Sequence, residues 1–228
     1  MSRNSGAGGL RERVKTAKGR KVGSTRWLER QLNDPYVKQA RAEGYRSRAA
    51  FKLLELDERF GFLKGVRSVI DLGIAPGGWS QVVRRRVPQA KIAGIDLLPT
   101  DAIEGVAILE MDFMDDAAPD ALREALGMPY ADLIMSDMAA NTVGHPQTDH
   151  LRTMALVEAG LMFATEVLRP GGTFVAKVLA GGADDSLVSE LKRHFTKVKH
   201  AKPPASRKDS SEWYVVAQGF KGRSGEAD

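Results

Sequence analysis

The chain has 228 residues and a mass of 24.8 kDa, with 34 basic against 29 acidic side chains, a formal charge of +5 and a pI near 9.4. That length suits one domain with tails or two small ones, at roughly 100 to 200 residues per domain, and 43% hydrophobic with 28% charged residues excludes wholesale disorder. No window approaches the roughly 18 consecutive apolar residues of a membrane span, no apolar stretch near the start could serve as a signal peptide, and the absence of cysteine excludes disulfides, thiolate catalysis and Cys-ligated zinc.

Residues 1–25 are rich in Gly, Ser, Lys and Arg, with too few apolar side chains to offset the entropy of ordering. They are expected to be a basic arm, disordered when free, ahead of a single domain over 26–222 and a short tail, 223–228. Asp34-Pro35 starts a helix, the carboxylate capping free N–H groups and the proline fitting the first turn. That helix is expected over 36–42. A second, over 46–60, places Phe51, Leu54, Leu56 and Phe60 on one buried face, with Lys52 off it.

Strands and helices then alternate. Strands are predicted over 66–72, 91–97, 106–111, 131–138 and 172–179, the last after the turn Arg169-Pro-Gly-Gly. Helices over 78–87, 119–126, 148–168 and 184–195 lie between or after them. Such alternation implies an α/β fold, a mostly parallel sheet with helices on both faces. Strands over 197–202 and 213–220 have too short a connection for a crossover helix, so they close a seven-stranded sheet as an antiparallel edge hairpin.

Charge is segregated along this order. Residues 1–30 hold nine basic side chains against Glu12 and Glu29, and residues 95–140 hold eleven acids against one base, Arg123. From Lys192 onward the chain is basic again, with Lys199, Lys202, Arg207 and Lys208 among the cations. Two basic ends on one face would attract a polyanion, nucleic acid above all. Arg46 and Arg48 join that expected track.

The most informative stretch is Asp71-Leu-Gly-Ile-Ala-Pro-Gly-Gly-Trp-Ser-Gln81, between a strand and a helix, where doubly wound sheets bind their ligands. Gly73, Gly77 and Gly78 let the backbone approach a ligand closely. The spacing G-x-x-x-G-G is not the dinucleotide G-x-G-x-x-G, which disfavours a nicotinamide dehydrogenase. Asp96, ending the second strand, is placed to accept from ribose hydroxyls. Asp112, after the third, can take an adenine amino group. The three features together describe a site for S-adenosylmethionine, a nucleoside with a charged, non-phosphate appendage.

These residues, with Ser136-Asp-Met-Ala139, Phe174-Val-Ala-Lys-Val178 and Glu212-Trp-Tyr-Val-Val216, resemble the FtsJ/RrmJ family of ribosomal RNA 2′-O-ribose methyltransferases. The likeness runs from Ser24 to Phe220. It implies a Rossmann-like S-adenosylmethionine-dependent methyltransferase fold. The lack of an apolar leader leads to the expectation of a cytoplasmic protein, zero cysteines and four histidines to one without a metal, and no sign of an obligate interface to a monomer. The reaction that the resemblance implies is methylation of a uridine 2′-hydroxyl in large-subunit ribosomal RNA, in support of ribosome assembly. The resemblance also implies a catalytic set of Lys52, Asp137, Lys177 and Glu212, in which Lys177 accepts the proton, Asp137 orients it, and Lys52 and Glu212 position the ribose. Cofactor contacts carry over onto Gly77, Trp79, Asp96, Asp112 and Asp137. Where the family often has Asp-Met-Ala-Pro-Asn, this chain has Asp137-Met-Ala-Ala-Asn141.

A lysine acts as a base only with a lowered pKa, which burial and a neighbouring cation would provide. Lys177 lies inside the apolar run 174–179, where a lysine needs a reason to be. Two other functions share these features: 2′-O-methylation of transfer RNA, and an assembly factor that binds RNA and cofactor without turnover. His145 and His150 are assigned no role.

Overall fold

The computed structural model describes residues 29, 32–140, 144–179 and 185–223. The arm expected over 1–25 lies outside the described residues, as does most of the tail expected over 223–228. Helices α1 (Pro35–Ala42) and α2 (Ala49–Phe60) precede strand β1 (Ser68–Leu72). There follow α3 (Gly78–Arg86), β2 (Lys91–Asp96), β3 (Val106–Glu110), α4 (Ala118–Leu126), β4 (Ala131–Ser136) and α5 (Pro146–Val167). The chain then runs through β5 (Leu168–Leu179), α6 (Asp185–His194), β6 (Phe195–Ala201) and β7 (Glu212–Phe220).

The seven strands form one sheet in the order β3-β2-β1-β4-β5-β7-β6. All pairings are parallel except those of β7, which runs antiparallel to both β5 and β6. The predicted edge hairpin is therefore present, with β6 outermost and β7 inside the sheet. Because β7 is reversed, its first residue, Glu212, pairs with Leu179 at the carboxyl end of β5. It thereby joins the edge where parallel sheets bind ligands.

Side chains alternate across the sheet. Ile70, Leu72, Phe174, Ala176, Val178, Val215 and Ala217 face one core, closed by α4, α5 and α6. Val69, Val175, Tyr214 and Val216 face the other, closed by α2 and α3 through Leu53, Leu56, Val82 and Val83. Lys177 pairs with Tyr214 in the register of β5 and β7 and shares its face.

Two expectations change. Arg169-Pro-Gly-Gly is not a turn before the strand: Leu168 already pairs with Ala131, and Thr173 with Leu133, so those residues form an irregularity inside β5. Lys52 is not off the buried face of α2. It is 7% exposed, because β7 and its Glu212 cover the side of the helix that the apolar spacing left open.

Candidate active site

The loop after β1 fixes one wall of the site. Gly73 has φ +80 and Gly77 φ +106, a region L side chains rarely adopt. A Cβ on Gly77 would lie 2.5 Å from Ile103 Cδ1 and 3.2 Å from Arg46 Nη1, so a larger residue would displace both side chains besides straining the backbone. Asp96 holds this loop and the next one together: Oδ2 accepts from Ala75 N–H at 2.9 Å and Oδ1 from Leu98 N–H at 2.9 Å. Asp112 Oδ1 accepts from Met114 N–H at 2.9 Å.

Arg46 departs from its expected place on a nucleic-acid track. Its guanidinium donates to the carbonyls of Pro76 (3.3 Å), Asp101 (2.6 Å) and Ala102 (2.7 Å), and its backbone N–H donates to Gln81 Oε1 at 2.8 Å. It fastens the glycine loop to the loop after β2. Its charge alone suggested an RNA contact, and the three carbonyls around it come from segments 30 to 56 residues away.

Between these loops lies a cavity of about 240 Å³, at the carboxyl ends of β1, β2 and β4. Asp96, Asp112 and Asp137 line it together with Leu98, Phe113, Met138 and Leu156. Gly77 and Trp79 lie outside its lining. Trp79 is 3% exposed, donates from Nε1 to the Ala49 carbonyl at 2.8 Å, and stands 5.7 Å from the Tyr214 ring. Its indole thus props α2 and Tyr214, and what α3 presents toward the loop is its first turn, which has no side-chain cap.

Four charged groups meet around Asp137, which lines the cavity. Lys177 Nζ lies 3.0 Å from Asp137 Oδ1 and donates to the Asp137 carbonyl at 2.8 Å. Glu212 reaches both lysines, Oε2 at 3.0 Å from Lys52 Nζ and Oε1 at 3.7 Å from Lys177 Nζ. Lys52 Nζ is 4.0 Å from Asp137 Oδ1. The structure brings these four residues together from α2, the end of β4, β5 and β7.

A fifth member has no counterpart in the sequence reading. Tyr214 Oη donates to Asp137 Oδ1 at 2.7 Å and accepts from Lys52 Nζ at 3.1 Å, bridging the two. The signal that could have found it is the strand period: Tyr214 lies two residues after Glu212 and so on the same face. Burial, with the Asp137 and Glu212 charges nearby, pushes its phenol well above 10.0. It stays a neutral donor.

The charges settle the protonation pattern. Burial would raise Asp137, but Lys177, Lys52 and the Tyr214 hydroxyl outweigh it and hold the carboxyl below its usual range. Burial likewise opposes ionised Glu212, and Lys52 and Lys177 prevail. For Lys177, burial alone would lower the ammonium, yet Asp137 and Glu212 reverse the sign and keep it above 10.5. The lowered lysine expected from sequence is corrected here: two carboxylates, not a neighbouring cation, dominate the amine.

Behind the loop, Asp71 is 1% exposed. Its Oδ2 accepts from Ser80 Oγ at 2.6 Å, while Oδ1 has no hydrogen-bond partner. Burial, eased by the Ser80 bond and reinforced by Asp137 and Asp96, raises its carboxyl to about 7.

Residues 45–220 match the FtsJ-like methyltransferase family. The chain is 76% identical over 223 residues to a protein of Rhizorhabdus wittichii named ribosomal RNA large subunit methyltransferase E, covering 98% of this chain and 96% of that one. It is 70% identical over 213 residues to the protein of that name from Zymomonas mobilis, covering 93% and 96%. Among solved structures, one described as a ribosomal RNA methyltransferase from Plasmodium falciparum superposes with a TM-score of 0.70 and 33% identity, over 78% of this chain and 100% of that one. A chain of a fibrillarin/Nop5p complex, at TM-score 0.51 and 18% identity over 75% of this chain and 83% of that one, shares the fold.

Proposed function

This chain belongs to the FtsJ-like methyltransferase family, and from that membership we propose that it methylates the 2′-hydroxyl of a uridine in large-subunit ribosomal RNA, with S-adenosylmethionine as methyl donor. The observation that carries the reading is the meeting of Lys52, Lys177 and Glu212 with Asp137, which also lines a cavity suited to a nucleoside. The close relatives named for the large ribosomal subunit support the substrate.

The cavity's own chemistry fits such a donor. Leu98, Phe113, Met138 and Leu156 offer apolar walls to a purine, and three carboxylates face a ligand that must be cationic to be welcome there. In this reading Asp96 accepts from the ribose hydroxyls, Asp112 takes the adenine amino group, and Asp137 faces the positive end. Gly77 contributes the tight loop and Trp79 the backbone of the first α3 turn. Bound there, S-adenosylmethionine would supply an electrophilic sulfonium methyl.

The protein's own part is to orient the acceptor and hold its proton. Lys177 Nζ takes the proton of the 2′-hydroxyl once it has shed its own, Asp137 aims the amine, and Lys52 and Glu212 seat the sugar. Tyr214 keeps Asp137 and Lys52 in register. Lys199 and Lys208 are exposed, and with Arg48 and Arg207 they complete a track for RNA. No described helix is long and apolar enough to cross a membrane. In this reading the protein works in the cytoplasm, as a monomer, on ribosomal particles.

The direct test is to incubate the protein with methyl-labelled S-adenosylmethionine and separate ribosomal RNA, transfer RNA and large subunits. Label should map to one uridine ribose of the large-subunit RNA. Label on transfer RNA alone would transfer the assignment there, and no label on any RNA would end it. A second expected result concerns Arg46. Arg46→Ala removes three charge-assisted bonds to the donor loops and should weaken S-adenosylhomocysteine binding by roughly tenfold, read by calorimetry. RNA affinity and its salt dependence should stay at wild type, since that guanidinium serves the loops.

A further inference from the structure

The acid-rich stretch 95–140 gives three carboxylates to the cofactor cavity and leaves Asp115 and Asp116 beside the outer face of α5. That helix is apolar on both sides. Val157, Leu161 and Ala164 belong to the core, while Leu151, Ala155, Ala159 and Met162 recur at helical spacing on the outside, Leu151 69% and Met162 68% exposed. A surface helix with one covered face normally turns polar residues to water. Met162 stands between two grooves. One, of about 360 Å³, lies between α5 and α6 over Leu161 and Leu187. The other, of about 290 Å³, lies between α5 and the connection from β3 to α4, over Phe113, Ala159 and Phe163, with the exposed Met114 in its wall.

Acids edge both grooves. Glu158 and Glu190 line the first, Asp115, Asp116 and Glu166 line the second, and no lysine or arginine lines either. Arg193 answers Glu190 at 2.7 Å and Arg123 answers Glu166 at 2.5 Å. Among the described residues no ion pair engages Glu158, Asp115 or Asp116. This charge decides between occupants. RNA would set phosphates against carboxylates. A second copy would lay acid on acid across a twofold axis. Residues 1–25 are cationic but have too few apolar side chains to fill two grooves. A cationic amphipathic helix meets both demands, its apolar stripe seated about Met162, whose flexible thioether adapts to a partner, and its lysines or arginines on the flanking acids.

We propose that the outer face of α5 docks a basic amphipathic helix belonging to a protein of the large-subunit particle. The assignment rests on the reading of the chain as a methyltransferase of ribosomal RNA acting on that particle, whose proteins must be cationic to bind RNA. The two faces of the sheet then divide the work. Helix α5 closes one core and α2, with Arg48 at its start, closes the other, so a protein held on α5 does not compete with RNA held beside α2. Two contacts to one particle also reinforce each other, because the first makes the second intramolecular.

The experiment uses the full chain with purified, unmethylated large ribosomal subunits, and with the same RNA freed of protein. Met162→Glu should raise the Kd for subunits about tenfold, the loss of a central apolar anchor, and keep kcat on saturating subunits within about twofold. Its Kd for protein-free RNA, its S-adenosylhomocysteine affinity and its melting temperature should match wild type. Glu158→Lys should weaken subunit binding about threefold by charge reversal, and it provides the measurement if Met162→Glu fails to fold. Ala155→Cys places the only thiol in a chain without cysteine. A benzophenone attached there should crosslink, on subunits, to a basic protein of the particle. Crosslinking to RNA or to a second copy of this chain would overturn the proposal, as would an equal loss of affinity for protein-free RNA. With the unaltered enzyme active, wild-type subunit affinity in the folded variants would remove the docking surface alone. An unaltered chain that neither binds nor methylates subunits would remove the functional reading and the surface together.

Discussion

Replacing Lys177 by methionine should lower kcat for methyl transfer by at least about a thousandfold while donor affinity stays within about threefold. A positioned general base contributes roughly 10² to 10⁴ in rate, and a thousandfold is about 4 kcal/mol of activation free energy. Methionine keeps the length and packing of the side chain and removes only the amine. Asp137 is not stranded by the change, because Tyr214 Oη still donates to it at 2.7 Å and Lys52 remains 4.0 Å away. The pH profile gives the second readout. Asp137 and Glu212 hold Lys177 above 10.5 against its burial, so at neutral pH the free protein carries the ammonium and only a small fraction is basic. Log kcat/KM should therefore rise with a slope near one between about pH 7 and 10. A flat profile, or substantial activity in the variant, would take Lys177 out of the chemistry.

The other large effect is on stability. Asp71 is pushed from 3.8 to about 7 chiefly by burial, so its native form binds a proton more tightly than the unfolded chain. Its contribution is fully present below about pH 4 and is lost as pH rises through about 7. At about 1.4 kcal/mol per pH unit, the loss has a ceiling of about 4 kcal/mol. Asparagine cannot ionise, keeps an oxygen for Ser80 Oγ and sets its amide where Oδ1 has no partner. Asp71→Asn should thus be more stable than wild type by about 2 kcal/mol at pH 8, with the difference falling toward zero near pH 4, measured by urea unfolding at several pH values. Asp137 and Glu212 titrate the opposite way, but they are common to both proteins and cancel in the comparison. A difference that does not change with pH would show that Asp71 is charged without penalty.

Much of this was legible in the sequence because the signals are local. Positive-φ glycines, carboxylates at strand ends and a lysine inside an apolar strand each state their requirement within a few residues, and Asp34-Pro35 announces a helix start that the Tyr36 N–H bond bears out. What escaped depends on partners far along the chain. Lys52 is covered by β7, 160 residues later, and no helical period contains that fact. Arg46 and Arg48 are two residues apart and equally charged, yet one clasps backbone carbonyls and the other faces Asp34. Tyr214 sits among apolar neighbours that give no sign of a polar task, and its place beside Lys177 follows only from the pairing of β7 with β5. The sign of the Lys177 shift escaped for the same reason. Burial is readable from an apolar run, whereas the second carboxylate arrives from a strand that sequence does not place.

That late strand bears on how the protein is made. A chain synthesised from its N-terminus releases β5 well before β7, although β7 is the neighbour that satisfies the whole length from Thr173 to Leu179. Until then one of the most apolar strands presents an open rim of peptide groups, the kind of surface on which nascent chains cross-pair and aggregate. Conditions that slow the last stage of translation or folding should thus claim this protein's yield first as inclusion bodies, before they touch the activity of molecules already complete.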